Sequence, residues 1–225
     1  MAPLLPGHGG DHREIAKAGR REWRAAIEAA WDELAATHDR VYVLGLSLGG
    51  LLALTLAARR PVAAAAVLAS PIDLGPWIRG FLPLVSRVID TIPRRKSIFD
   101  EEARARHPGA DRMPLAAVRE LVDLCAEVKQ ELARVVAPLS LVYSRRDPTV
   151  HFRNAEQIAS RVSSEICEVL YLENSSHVIT VDREKDRVAR RVVEFFVRQD
   201  RLAALDEEGG NPGIRVDAGC GAGES

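Results

Sequence analysis

Three side chains in this sequence have the types and the chain order of a nucleophile, an acid and a base: Ser47, Asp147 and His177. Ser47 is the centre of Gly45-Leu46-Ser47-Leu48-Gly49. The apolar run 41–44 before it reads as a buried strand, and the apolar run after it is long enough for a helix. Strand, G-x-S-x-G, helix is the pattern of a nucleophile elbow, a sharp turn that lifts the serine hydroxyl clear of the sheet edge. On this reading a side chain at Gly45 or Gly49 would collide with the opposite arm of the turn. A serine hydroxyl is a poor nucleophile near neutral pH. It needs a base to take its proton and a third group to orient that base.

Both partners are sought in loops after later strands, because ligands and chemistry collect at the carboxyl ends of parallel strands. Asp147 lies in SRRDPTV, directly after an expected strand at 139–143, with Pro148 fixing the turn behind it. A plain turn aspartate is the competing reading. Asp73, in the loop after the expected strand 62–69, is the rival acid. His177 lies in ENSSHVITVD, after the last expected strand and before the last helix. His151 reads as a partly exposed helix residue and His8 as a loop-packing one. The amide of Leu48, at the start of the elbow helix, supplies one donor for an oxyanion. No second donor loop is found. His8 and His12 are four residues apart, but Gly9 and Gly10 between them argue against a helix, so no metal site is expected. No phosphate loop or dinucleotide fingerprint is present, and the expected chemistry needs no cofactor.

The elements that must position these residues follow from periodicity. A helix is expected at 13–37, where Trp23, Ile27, Ala30, Trp31 and Leu34 share one face. The elbow helix stops at Arg60-Pro61 and the buried strand 62–69 follows. Helix, strand, helix, strand argues for a mostly parallel sheet covered by helices on both faces. Residues 71–137 break the alternation with what reads as a helical block, including an amphipathic helix at 114–136. A block of that length between two sheet strands is best read as an inserted cap. Within it Trp77, Ile78, Phe81 and Leu82 line an acyl tunnel or fill the cap core. The alternation resumes with a strand at 139–143, a helix at 150–162, a strand at 166–172 and a final helix. Asp182 is the expected N-cap of that helix, which is expected to end near Arg198. The domain reading is therefore a core of 1–70 and 138–199, a cap of 71–137, and a disordered tail of 200–225 that is rich in glycine.

Composition narrows the class. A chain of 225 residues holds one sizeable core. A net charge of −1 with dispersed charges and no basic stripe argues against a nucleic-acid partner. Cys125, Cys167 and Cys220 are an odd set without C-x-x-C spacing, which suits reduced thiols and a cytoplasmic location. No apolar run is long enough for a membrane span, and the N-terminus lacks the basic start of a signal peptide.

GLSLGG, the PLLPGHG start, SRRDPTV and SSHVITVDREKD together resemble the bacterial carboxylesterase and monoacylglycerol lipase family of α/β-hydrolases. The resemblance runs from Ala2 to about Arg198. It implies an α/β-hydrolase fold with a small helical cap, Ser47 as nucleophile, Asp147 as acid and His177 as base. It also implies cofactor-free cleavage of short- to medium-chain esters or monoacylglycerols, so a small-molecule ester or lipid is the expected substrate. Family members begin with further strands and an HGF-like oxyanion loop, whereas this chain starts inside the strand before PGHG. The expectation is an N-terminally truncated sequence, with the first strands of the sheet and the second oxyanion donor missing. Loss of one such donor costs on the order of 10²–10³ in kcat. That motivates an alternative: a catalytically impaired or non-enzymatic module that binds an apolar ligand under its cap. Acyl transfer to an acceptor other than water is a further alternative.

Overall fold

Short apolar segments that turn at glycine, proline and asparagine alternate with amphipathic ones, and the chain folds accordingly. The computed structural model describes residues 1–93, 97–108 and 111–209. Its elements are α1 (His12–Ile15), α2 (Arg20–Ala35), β1 (Tyr42–Leu46), α3 (Leu48–Arg59), β2 (Ala64–Leu68), α4 (Pro76–Val85) and β3 (Thr91–Pro93), then α5 (Glu101–Arg106), β4 (Arg112–Pro114), α6 (Leu115–Glu131), β5 (Leu139–Ser144), α7 (Asn154–Ala159), β6 (Cys167–Leu172) and α8 (Lys185–Gly209). A 3₁₀ turn, Leu132–Arg134, closes α6.

The main sheet runs β1-β2-β5-β6, with every pairing parallel. Gly45 lies opposite Val67, and Val67 opposite Leu141. β2 and β5 are buried along their whole length, as central strands must be when both faces are covered. Side-chain alternation sends Ala65, Val67, Leu139, Leu141 and Tyr143 to one face, where α2, α3, α6 and α7 pack. Ala66, Leu68 and Val142 point to the other face and meet Val188 and Val192 of α8. β1 is an edge, and Leu44 on it is 54% exposed. Residues 2–5 form no strand beside it. They run into a turn in which the His8 amide donates to the Leu5 carbonyl (2.9 Å).

Several elements depart from their expected bounds. The helix expected at 13–37 is two helices. Gly19 takes an extended conformation between them and restarts the chain, with the Glu22 carboxylate accepting its amide (3.0 Å). α7, Asn154–Ala159, is shorter than the expected 150–162, and Asn154 opens it. Asn154 Oδ1 accepts the amides of Ile72 and Asp73 (2.8 Å each) and ties α7 to the exit of β2.

The expected disordered tail is helical to Gly209, and α8 does not stop at Arg198. Asp200 accepts from the Tyr42 hydroxyl (2.8 Å) and the Arg40 guanidinium (3.0 Å), which binds this turn to the edge of the sheet. The remainder of that tail, 210–225, lies outside the described residues, with Cys220 in it.

The stretch between β2 and β5 is not purely helical. β3 and β4 pair antiparallel, Thr91 opposite Pro114. Three-residue strands are too short to leave a readable period. The long helix α6 inserts Leu124, Cys125 and Val128 into the same core as α3. α4 stands further out: Leu82 is buried, but Ile78 and Phe81 are exposed. The side chain of Trp77 lies outside the described residues.

Candidate active site

Ser47 occupies a strained backbone conformation, φ 55° and ψ −115°, between the last residue of β1 and the first of α3. A non-glycine residue at positive φ costs on the order of 1–3 kcal/mol and persists only where the surroundings over-determine it. Here they do. The Ser47 amide donates to the Leu68 carbonyl of β2 (2.8 Å), while the Ser47 carbonyl accepts from Gly50 (2.9 Å). The strand and the helix approach so closely that a Cβ at Gly45 would lie 1.9 Å from the Gly49 carbonyl oxygen. The expectation for Gly49 itself is overturned. A Cβ there meets nothing within 4 Å, because Gly49 contributes only its backbone to the contact. The second tight glycine is Gly50, whose Cβ would sit 2.6 Å from Cβ of Ser70, just past β2.

The loops after β5 and β6 bring their side chains to this turn. His177 Nε2 lies 3.0 Å from Ser47 Oγ, and His177 Nδ1 lies 2.7 Å from Asp147 Oδ2. The Asp147 carboxylate is fully buried and His177 is 12% exposed at its side chain. The other carboxylate oxygen of Asp147 accepts the amides of Thr149 (2.7 Å) and Val150 (3.0 Å). Both carboxylate oxygens are thereby engaged, which fixes the orientation of the side chain towards His177. An Nδ1–H donated to that carboxylate leaves Nε2 as an acceptor for the Ser47 hydroxyl. Leu48 heads α3 directly beyond the serine, where helix amides point outward without intrahelical acceptors.

A family model described as the alpha/beta hydrolase family matches residues 1–191. The chain belongs to this family. This α/β-hydrolase is 31% identical over 202 residues to a thermostable monoacylglycerol lipase from Bacillus sp. (strain H-257), covering 87% of the chain and 78% of the relative. It is 25% identical over 203 residues to a carboxylesterase from Bacillus subtilis (strain 168), covering 88% and 81%. Among solved structures it is similar to one reported for LipS and LipT, two metagenome-derived lipolytic enzymes. That match has TM-score 0.79 and 27% identity over 86% of this chain and 80% of the other.

Within this α/β-hydrolase the rival residues lie elsewhere. Asp73 accepts the Gly75 amide (2.8 Å) and lies 3.5 Å from Lys129. His151 is exposed, accepts the Arg153 amide (3.2 Å) and stacks on Phe152. His8 packs edge-on against Trp23, whose indole N–H donates to the Pro6 carbonyl (3.0 Å).

The residues that hold the loops were not anticipated. Ser144, at the end of β5, accepts the Arg146 amide (3.1 Å) and donates to the Ser175 carbonyl, so the loop of Asp147 and the loop of His177 share one hydroxyl. Glu184 accepts the Asn174 amide (2.8 Å) and the Ser175 hydroxyl (3.0 Å). Burial pushes its carboxyl up, but these donors outweigh burial and hold it below the ordinary range. Tyr143, wholly buried, donates to the Ser70 carbonyl (2.7 Å), and burial pushes its phenol well up, so it stays protonated as a donor. Asp182 is not the N-cap expected: α8 begins at Lys185, and the Asp182 carboxylate accepts from backbone amides outside that helix. A serine at a strand end carries no signal that separates it from any other. Asp182, five residues after His177, carries the signal of a helix-starting aspartate, but its carboxylate binds the loop before the helix instead.

Proposed function

We propose that this α/β-hydrolase is a serine hydrolase that cleaves carboxylic esters, of short- to medium-chain acyl groups or monoacylglycerols, through an acyl-enzyme. The observation that carries the reading is the continuous chain Ser47 Oγ, His177 Nε2, His177 Nδ1, Asp147 Oδ2, with separations of 3.0 and 2.7 Å. Ser47 attacks the ester carbonyl as His177 takes its proton. Asp147 holds the imidazole in the receptive tautomer and stabilises the imidazolium. The Leu48 amide faces the developing oxyanion. Collapse of the tetrahedral species passes the proton from His177 to the departing alcohol, and water repeats the sequence on the acyl-enzyme. The named relatives, a monoacylglycerol lipase and a carboxylesterase, support the substrate class. Residues 71–137 act as a cap rooted on the core through α6, with α4 and the β3–β4 pair outermost. The remaining core is 1–70 and 138–209, since α8 continues past Arg198 and Asp200 is tied to the sheet edge.

A fluorophosphonate probe should label Ser47, and Ser47→Ala should lower p-nitrophenyl ester turnover by on the order of 10⁶. A folded wild-type protein that is neither labelled nor active would sink the proposal. Among the described residues, no helix is long and apolar enough to cross a membrane.

A further inference from the structure

The loop that carries His177 is gripped by a short strap, residues 97–100, that returns from the segment between β2 and β5. The His177 and Val178 amides both donate to the Ser97 carbonyl (3.1 and 3.2 Å). The strap is held in turn by Asp182, whose side chain is completely buried. Asp182 Oδ1 accepts the amides of Phe99 (3.0 Å), Asp100 (2.9 Å) and Arg183 (2.8 Å). Its Oδ2 accepts the Phe99 amide (3.0 Å) and the amide of Ser176 (2.6 Å), the residue before His177. One carboxylate thus joins both sides of the grip. Burial pushes this carboxyl up, and four backbone donors outweigh burial and hold it below the ordinary range, so it is an anion at neutral pH.

The same strap reaches the acid loop. Ser97 Oγ lies 3.3 Å from Thr149 Oγ1, two residues past Asp147. The Phe99 ring lies under two guanidinium groups: that of Arg146, beside Asp147, at 4.9 Å, and that of Arg183, beside Asp182, at 5.8 Å. Ile98 between them is buried.

We infer that Asp182 is a positioning residue that, through the strap at 97–100, sets the height and rotation of the His177 imidazole between Ser47 and Asp147. The inference rests on the reading of His177 as the base. Near-attack geometry is sensitive at the ångström scale, and a shift of about 1 Å costs on the order of 10² in rate. Asp182→Asn preserves shape, but every orientation of its amide sets an NH₂ group against at least one backbone N–H that the carboxylate now accepts. The base loop or the strap must then move.

The test compares the full wild-type chain with Asp182→Asn and Phe99→Ala. The readouts are p-nitrophenyl ester kcat and KM, fluorophosphonate labelling rate, thermal midpoint, and the downfield proton resonance of the His177–Asp147 hydrogen bond. Asp182→Asn should lower kcat and the labelling rate together by about 100-fold with KM within about twofold. It should also shift or broaden the downfield resonance. Phe99→Ala, on the outer side of the strap, should lower kcat by about tenfold with less change in the resonance. A folded Asp182→Asn protein with wild-type kcat and an unmoved resonance overturns the inference. If Asp182→Asn does not fold, a folded Phe99→Ala protein with unchanged kcat and resonance overturns it. A wild type without turnover or labelling sinks ester hydrolysis instead. In that case the resonance alone decides the positioning role, and a shift in Asp182→Asn upholds it.

Discussion

The elbow at Ser47 and the loop at His177 face each other across 3.0 Å, yet they are held by different means. The elbow is a local device. Gly45, Ser47 and Gly50 lie within six residues, and the strain at Ser47 is maintained by the strand before it, the helix after it and the adjacent β2. The base loop has no such geometry. It is held by one carbonyl, one hydroxyl and two carboxylates from three places in the chain: the Ser97 carbonyl of the strap, the Ser144 hydroxyl at the end of β5, and the side chains of Asp182 and Glu184 ahead of α8. On the proposed reading, Ser47 as nucleophile must hold one angle, and a short turn can impose it. His177 as base must meet two partners at once, Ser47 and Asp147, so its position is set by several anchors.

The contrast can be broken or sharpened by substitution. After Ser47→Ala, the largest effect is expected at Asp147→Asn. The amide would reverse one hydrogen bond and favour the wrong imidazole tautomer, lowering kcat by on the order of 10⁴ with little change in thermal midpoint. Steady-state kinetics beside a melting curve separates the two. Gly45→Ala attacks the elbow instead. Its Cβ would meet a backbone oxygen that cannot rotate away, so a stability loss of about 3 kcal/mol or failure to fold is expected in denaturant titration. Ser144→Ala removes one hydroxyl from under both loops and should cost about 1–2 kcal/mol, with a smaller fall in kcat than Asp147→Asn. Gly49→Ala should have the smallest effect. The site is open and helical, so the protein should retain activity and gain up to about 1 kcal/mol. If Gly45→Ala and Gly49→Ala behaved alike, the account of the elbow as a one-sided contact would fail.

Much of the fold was legible because buried parallel strands leave continuous apolar runs. The runs at 41–44, 62–69, 139–143 and 166–172 match β1, β2, β5 and β6 to within a few residues. What was lost is what periodicity does not encode. Gly19 divides a helix without interrupting its apolar face. β3 and β4 are three residues each. The far turns of α8 are stabilised by Arg40 and Tyr42, about 160 residues earlier in the chain, as the separations of 160 and 158 show. A composition rich in glycine argued for disorder where a single aspartate, Asp200, reaches the sheet edge.

At the site the division is similar. Chain order and the position of loops after strands singled out Ser47, Asp147 and His177, because a parallel sheet sends successive strand ends to one edge. Whether these three could touch was decided only by the tertiary structure, through the register of β1 against β2 and of β5 against β6. The sequence by itself determined the turn, since G-x-S-x-G between a strand and a helix carries its own geometry. It could not determine the grip on the base loop. Backbone amides have no sequence identity, and the carboxylate that gathers four of them at Asp182 reads like any helix-starting aspartate until the strap at 97–100 is folded against it.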